Sequence, residues 1–537
     1  MKMNITKNIK FGILVLTGAL TLGSCLGDLD QTPIDPDSIT ELDVFEDTES
    51  AKSALAKLYS SIAITGQDGP AGDPDLQVDD EGASQYTRLM FGHQELSTDN
   101  AVNGWGDGNL SEFHAMSWTA ENGFINDYYN RLGQSVSFCN SFISNAQASL
   151  GDEPEVQTMI TEARFLRAYH YYNLMDAFAN VPIVTEIKTE LPAQNTRAEV
   201  FDFIESELLD IIDQLPSAKG NEYGRVDQVA AQALLSRLYL NAESMIGIDH
   251  YAESLSYSET VINSAYNLHS NYQDLFLSDN DENGAQNENI FVIRYDGLET
   301  QTYGGTSFFI HANIGGDEMN AADYGSSGGW GGNRTTKGLV SKFDQGASFD
   351  GSGHPISWTD NRALFFTPGQ NYEIDDMSVF QDGYAIIKYQ NIDSEGNYTG
   401  SDTSKEMSDI DQALIRMGEI YLNYAEAALR GGGGSTDTAL DLVNQLRERA
   451  YGDASQNITA GDLNLDFILD ERSRELYYEG FRRTDLIRYD KFTSGSYVWP
   501  FKGDVATGTG VESYRTIYPI PANVLLVNTN MKQNDGY

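Results

Sequence analysis

Histidine is scarce in this chain and cysteine scarcer, with seven and two among 537 residues. The histidines are scattered. No HExxH occurs, and no GxSxG elbow or GxGxxG is placed between a strand and a helix, so the usual signatures of zinc, serine-nucleophile and dinucleotide chemistry are missing. Cys25 falls at what reads as a processing site, which leaves Cys139 alone and rules out an intramolecular disulfide in the processed chain. Cys139 keeps helical phase with Leu132, Val136 and Ile143 and is expected to pack, not react. Basic residues are also few: 34 Lys and Arg stand against 80 Asp and Glu, for a net charge of -46. Such a surface repels nucleic acid and anionic lipid at long range. With so many carboxylates, any two could be offered as a glycosidase pair, and the offer would mean nothing. No enzyme is expected, and no cofactor is required.

What is present begins with a leader. Lys2, Lys7 and Lys10 precede an apolar run over 11–22, too short and wrongly flanked to span a membrane. It ends in Leu22-Gly23-Ser24-Cys25, which looks like a bacterial lipobox, so residues 1–24 read as a lipoprotein signal and Cys25 as the acylated N-terminus. An ordinary signal peptide that happens to contain a cysteine is the alternative. Residues 25–47 are acidic and proline-bearing, and a flexible tether is expected there.

A chain this long, with 40% hydrophobic residues, can fill a large core. Helical periodicity marks segments from Thr48, over 125–143, 158–178, 196–211, 227–242 and 252–266, and again over 411–430 and 436–450. Thr196 with Glu199 forms a capping-box pattern. Helix pairs at intervals of about 35–45 residues suggest tetratricopeptide-like units stacked in a superhelix. Two regions follow: a helical one over 48–266 and a second over 267–537. Within the latter, 267–407 is rich in Gly, Asp and Asn, with strand-like runs at 290–295, 307–310 and 384–389. The fold class is mainly α, with an irregular, loop-rich part carrying short strands.

Trp105 lies in Gly104-Trp105-Gly106-Asp107-Gly108 and Trp330 in Gly328-Gly329-Trp330-Gly331-Gly332. Neighbours without side chains cannot shield an indole, so both rings are expected at the surface. An aromatic plane can stack on the C–H face of a pyranose while amides, carboxylates and guanidinium groups bond its hydroxyls. Asp99, Asn103 and Asp107 surround the first ring in sequence; Tyr324, Asn333 and Arg334 surround the second. Tyr86 and Tyr303 lie in similarly open stretches, whereas Trp118, Trp358 and Trp499 sit in denser, core-like contexts. One metal candidate exists: Asp279, Asp281 and Asn283 open a loop like that of an EF-hand. Ile290 stands where the twelfth-position Glu belongs, and Glu288 is out of register. That leaves at most a looser, structural calcium site.

Residues 468–490, ILDERSRELYYEGFRRTDLIRYD, combine helical apolar spacing with dense charge. A single amphipathic helix is expected, with Glu479 reaching Arg482 and Arg483 at the i,i+3 and i,i+4 offsets. Exposed pairs of that kind contribute only about 0.3–0.5 kcal/mol each, too little to explain the density. The order of these residues resembles the signature helix of the SusD/RagB family of outer-membrane nutrient-binding lipoproteins. Residues 162–183 (EARFLRAYHYYNLMDAFANVPI), 414–427 (LIRMGEIYLNYAEA), the lipobox and the closing YPIP and QNDGY resemble the family in the same order.

That resemblance implies a tetratricopeptide-like superhelix, a lipid anchor at Cys25 on the outer face of the outer membrane, and a SusC-like TonB-dependent transporter as partner. The expected role is capture of oligo- or polysaccharide and its delivery to the transporter, over which the protein sits as a lid. Trp105 and Trp330 fall in the two regions from which family members draw glycan-stacking aromatics. A peptide cargo is the first alternative; a helical-repeat assembly scaffold without a small ligand is the second. The charged helix is expected to lock the repeat stack through buried or networked Arg and Glu contacts.

Overall fold

The computed structural model describes residues 44–537 apart from 73 and 152; the leader, Cys25 and nearly all of the tether lie outside the described residues. Helix α1 (Thr48–Ala63) starts at Asp47, whose carboxylate accepts from Ser50 N at 2.8 Å. The stretch 66–108, polar and rich in Gly and Asp, holds a buried helix α2 (Tyr86–Gln94) and a strand β1 (Ala101–Asn103). Helices α3 (Gly123–Leu150) and α4 (Pro154–Phe178) form a hairpin, and Cys139 is fully buried on α3. Proline at the first turn of α4 loses nothing, because that N–H has no partner inside a helix. In α5 (Arg197–Ile211) both halves of the Thr196–Glu199 capping box are made. Then come α6 (Gln228–Leu240), capped by Asp227, and α7 (Tyr251–Ile262).

The loop-rich part that follows is an insertion with a closed neck. Strand β2 (Asn289–Ile293) pairs antiparallel with β4 (Gln412–Arg416), and α7 packs directly on α9 (Met417–Leu429). The helix stack is therefore continuous across an insertion of some 150 residues in sequence. Three readings change here. Residues 411–430 are not one helix, since 412–416 are needed as the partner of β2. Residues 307–310 belong to a buried helix, α8 (Gly305–His311), because a short apolar run carries no periodicity to separate strand from helix. At 384–389 only Ala385–Ile386 is strand, paired with Phe365–Phe366. A further short strand, β3 (Asn333–Thr335), reaches back to β1. The stack resumes with α10 (Thr436–Tyr451), α11 (Leu465–Leu476) and α12 (Arg482–Arg488), and the chain closes with α13 (Ala522–Val527).

The single helix expected over 468–490 is thus two. Tyr478 and Gly480 take positive φ (65° and 84°) and break it, and the buried Glu95 carboxylate accepts from Gly480 N (3.0 Å) and Phe481 N (3.2 Å) in the break. Burial pushes the Glu95 carboxyl up to about 7. The pairing expected within the helix is also replaced. Glu479 meets Arg416 (2.7 Å) and Lys388 (2.7 Å), Arg482 grips Asp99 (2.7 Å), and Arg483 faces Asp176 (3.2 Å). Glu475 sits between Arg416 (2.6 Å), Arg449 and Arg362 (3.3 Å), all three guanidinium groups being buried. Burial would raise the Glu471 carboxyl, but Arg362, Arg474 and Arg447 bring it down to about 2. The break turns the charges inward toward α2, α4 and α9. They cross-link the stack, as the charge density suggests. Removing one partner of such a buried pair costs about 3–5 kcal/mol, an order of magnitude above an exposed pair.

Candidate functional site

The β1–β3 pair explains why two tryptophans 225 positions apart meet. Its register sets Asn103 opposite Asn333, and Gly104 N extends the ladder to Gly332 O at 3.1 Å. Trp105 leaves β1 two residues past its end, and Trp330 enters three residues before β3. Trp105 N is held by Asn103 Oδ1 (2.8 Å), and Trp105 Nε1 donates to Trp330 O (3.2 Å). A Cβ at position 332 would stand 2.3 Å from the Trp105 indole, so Gly332 is what lets the ring lie against the second loop.

The two indoles lie 6.3 Å apart at 50°. His311, at the end of α8, stacks on Trp330 at 4.7 Å and 15°, and its ring nitrogens lie 2.9 Å from the carbonyl oxygens of Gly328 and Glu406. Tyr303 meets Trp330 edge-on at 5.9 Å. On the other side, Arg88 of α2 lays its guanidinium 5.5 Å from the Trp105 ring and 4.7 Å from Phe308, and donates to Tyr303 O at 3.0 Å. Burial lowers Arg88 to about 10, against the pull of Asp80 and Asp107, so it stays charged at neutral pH. Trp105, Trp330 and Tyr303 are half-buried and Asp107 is exposed. The expectation of freely exposed indoles is corrected: both rings are half-buried and pack in part against the core. The pocket behind Trp105 holds only about 30 Å³, room for about one water, so a larger ligand would have to bind on the outer faces of the rings.

Five residues expected around the rings are buried. Tyr86 is fully enclosed, its hydroxyl 3.0 Å from His170 Nδ1. Asp99 is spent on Arg482 and Lys342 (2.9 Å); these cations outweigh burial and hold its carboxyl far below the usual range. Asn103 and Asn333 bond each other at 2.8 Å and hold the loops together. Arg334 donates to the carbonyls of Gly332, Met377, Val379 and Asp382, and burial lowers it to about 10. For Asp99, Asn103, Asn333 and Arg334, nearness in sequence means support beneath the rings, not access beside them. Tyr324 is half-buried on a 3₁₀ turn outside the ring cluster. Trp118 and Trp499 are buried, and Trp358 packs partly on the core. Arg88, Phe308 and His311 escaped the sequence reading. For Arg88 the signal was a lone cation in the apolar turn Leu89-Met90-Phe91.

The calcium candidates do not converge. Asp279 accepts from Asn283 (2.9 Å) and from Ser394 N and Oγ (3.0 and 2.7 Å), which closes the turn. Asp281 faces Arg294 at 3.5 Å, while Glu288 points into the core against Arg416 and Arg449. Among the described residues no three His, Cys, Asp or Glu side chains are placed to hold a metal ion. No helix among them is long and apolar enough to cross a membrane.

Comparison with known proteins covers nearly the whole chain. Residues 287–537 match the model of the SusD family, and residues 43–240 match a family described as starch-binding, associating with the outer membrane. Starch-binding protein SusD of Bacteroides thetaiotaomicron is 33% identical, with 98% of this chain and 97% of that protein aligned. SusD-like protein P2 of Formosa agariphila is 24% identical over 98% of this chain and all of its own length. Among solved structures, surface glycan-binding protein A from Bacteroides fluxus superposes with a TM-score of 0.69 at 20% identity, covering 91% of this chain and 99% of its own. A SusD superfamily protein from Parabacteroides distasonis gives 0.68 at 23% identity, covering 93% and 100%.

Proposed function

The chain belongs to the SusD family, and from that premise we propose that it is a cell-surface glycan-binding lipoprotein. The observation that carries this reading is the meeting of Trp105, Trp330 and Tyr303 at one surface, with a charged donor and a free acceptor at its edge. The two ring planes are set about 50° apart, which suits a curved sugar chain better than a flat one. Arg88 and Asp107 bring a donor and an acceptor to the hydroxyls at the rim. Rings braced by His311, Phe308 and the glycine loops lose little freedom on binding, which favours affinity. The printed names of the relatives, starch-binding and glycan-binding, point the same way.

The reading extends to an acyl anchor at Cys25, a place on the outer face of the outer membrane, and a SusC-like TonB-dependent transporter that receives the glycan while this protein closes over it. It is a binding role without bond breaking. Isothermal titration of the purified protein against panels of neutral oligosaccharides and of peptides tests it. A glycan that binds, is recovered unshortened and is lost in Trp105→Ala and Trp330→Ala is the expected outcome. Peptide binding alone, or glycan affinity unchanged in both variants, would sink the platform.

A further inference from the structure

His311 ends α8 against Trp330 and is only 2% exposed. Three segments meet at its ring. The loop 326–332 supplies Gly328 O, 2.9 Å from Nδ1, and Ser326 Oγ, 3.1 Å from the same nitrogen. The segment 405–407 supplies Glu406 O, 2.9 Å from Nε2. The Trp330 indole lies 4.7 Å away and within 15° of parallel, and Trp330 N donates to His311 O at 2.6 Å. The imidazole is thus the joint through which α8 holds the second tryptophan loop.

The number of protons on the ring decides whether this joint closes. A neutral imidazole has one N–H and one lone pair. With the proton on Nδ1, Nε2 turns its lone pair on Glu406 O at 2.9 Å, with no donor between them. With the proton on Nε2, Nδ1 can accept from Ser326 Oγ. That hydroxyl is then taken from Gly328 O, to which it donates at 2.7 Å, and Gly328 O is left 2.9 Å from a lone pair. The imidazolium, with two N–H donors, satisfies both carbonyls and leaves the serine hydroxyl on Gly328 O. Its charge also lies over the π-face of Trp330, an attraction the neutral ring lacks.

No other ionisable side chain occurs on α8, within 312–316 or within 326–332. On the third segment, Glu406 accepts from Ser327 Oγ at 2.6 Å and Lys405 Nζ lies over the Tyr398 ring at 4.4 Å. Asp402, just before it, accepts from Ser404 and from the N–H groups of Glu406 and Met407. Asp323 is exposed and accepts from Asn320 Nδ2, and Tyr303 meets Trp330 edge-on. Imidazole is the side chain whose charge ordinarily changes between about pH 5 and pH 8. Resting on the reading of Trp105 and Trp330 as a glycan platform, we propose that His311 positions Trp330 as a doubly protonated imidazolium. Glycan binding is then proton-linked, tighter at the acid end of that range and weaker once one proton leaves. Loss of either N–H sets a lone pair against a carbonyl oxygen, the loop 326–332 loosens, and the indole loses part of the preorganisation that favours binding.

The test is titration of the full chain with one neutral oligosaccharide that it binds, at pH 5, 6, 7 and 8, beside the same series for His311→Gln. Wild-type affinity is expected to fall about fivefold from pH 5 to pH 8, whereas the variant, with no proton to lose, should bind weakly and evenly throughout. Glu95, which titrates near 7, is common to both proteins and cancels in the comparison. In parallel, NMR of the unliganded protein, labelled with 15N in histidine alone, reads both ring nitrogens directly. The His311 signals, identified by their absence from His311→Gln, are expected to show two N–H groups at pH 5 and one at pH 8. If His311→Gln does not fold, the pair of signals moved furthest by Trp330→Ala identifies them. A single neutral tautomer at pH 5, wild-type affinity that stays level from pH 5 to pH 8, or the same slope in wild type and variant would overturn the proposal. Those results leave the platform standing, whereas binding of no oligosaccharide at any pH removes the platform and the proton link together.

Discussion

The helix pair α11–α12 and the two glycine-flanked tryptophan loops are opposites in sequence and exchange places in the fold. The helix pair is dense in Arg and Glu, residues that usually face water, yet Glu475, Arg482 and Arg483 are almost wholly enclosed. The loops carry tryptophans, residues that usually fill cores, yet Trp105 and Trp330 are only half-buried. In the first region a backbone break at Tyr478 and Gly480 turns charges inward, where each finds a partner from a distant part of the chain. In the second, backbone without side chains leaves the rings half uncovered. Burial is decided by what the neighbouring backbone permits, and residue type comes second.

The comparison breaks most readily at Glu475. Glu475→Ala leaves Arg416, Arg449 and Arg362 short of a partner and is expected to cost about 3–5 kcal/mol, read as a large drop in the denaturation midpoint, with glycan affinity unchanged in whatever protein remains folded. A surface-like effect below 1 kcal/mol would mean that the network is not closed. In the loops the effect should move from stability to binding. Trp330→Ala is expected to weaken glycan affinity by about 2 kcal/mol, roughly thirtyfold, while Tm changes little. Loss of both together would make the ring a core residue after all.

Glu95 sharpens the contrast through pH. Its folded carboxyl titrates near 7 against 4.5 for an unperturbed group, so the native state holds its proton over that interval more tightly than the unfolded chain. The stability this adds is complete below about pH 4.5 and is lost as pH rises through 7. Glu95→Gln should therefore gain about 2.5 kcal/mol over the wild type between pH 5 and pH 8, measured by denaturant melts at the two pH values. An equal difference at both would place the carboxyl near its ordinary range. The smallest effect is at the rim. Arg88→Met keeps the packing on Trp105 and Phe308 but removes a charged donor, and titration should show a loss of about 1 kcal/mol, roughly fivefold, in glycan affinity.

Much of the fold was legible because it is periodic. The 3.6-residue pattern located α4, α6, α7 and α10 to within four residues and α3 except for its last two turns, and Thr196 with Glu199 announced the start of α5. What could not be read was set by distant partners. Residues 412–416 are strand because β2 lies beside them, and nothing within 411–430 says so. The break at 477–481 depends on Glu95, nearly 400 residues earlier. The two site tryptophans stood out by their glycine neighbours, but Asn103, Asn333 and Arg334 were read as ligand groups when they are braces. Sequence proximity cannot distinguish a side chain beside a ring from one beneath it. His311 and Phe308 were invisible for the same reason, since only the fold brings α8 under the loops.

The most direct measurement is titration of one bound oligosaccharide into the wild type and into the Trp105→Ala/Trp330→Ala variant, with Tm recorded for both. Affinity falling by two orders of magnitude or more at nearly constant Tm is the predicted result. Unchanged affinity in the double variant would contradict it and move the binding surface elsewhere on the molecule.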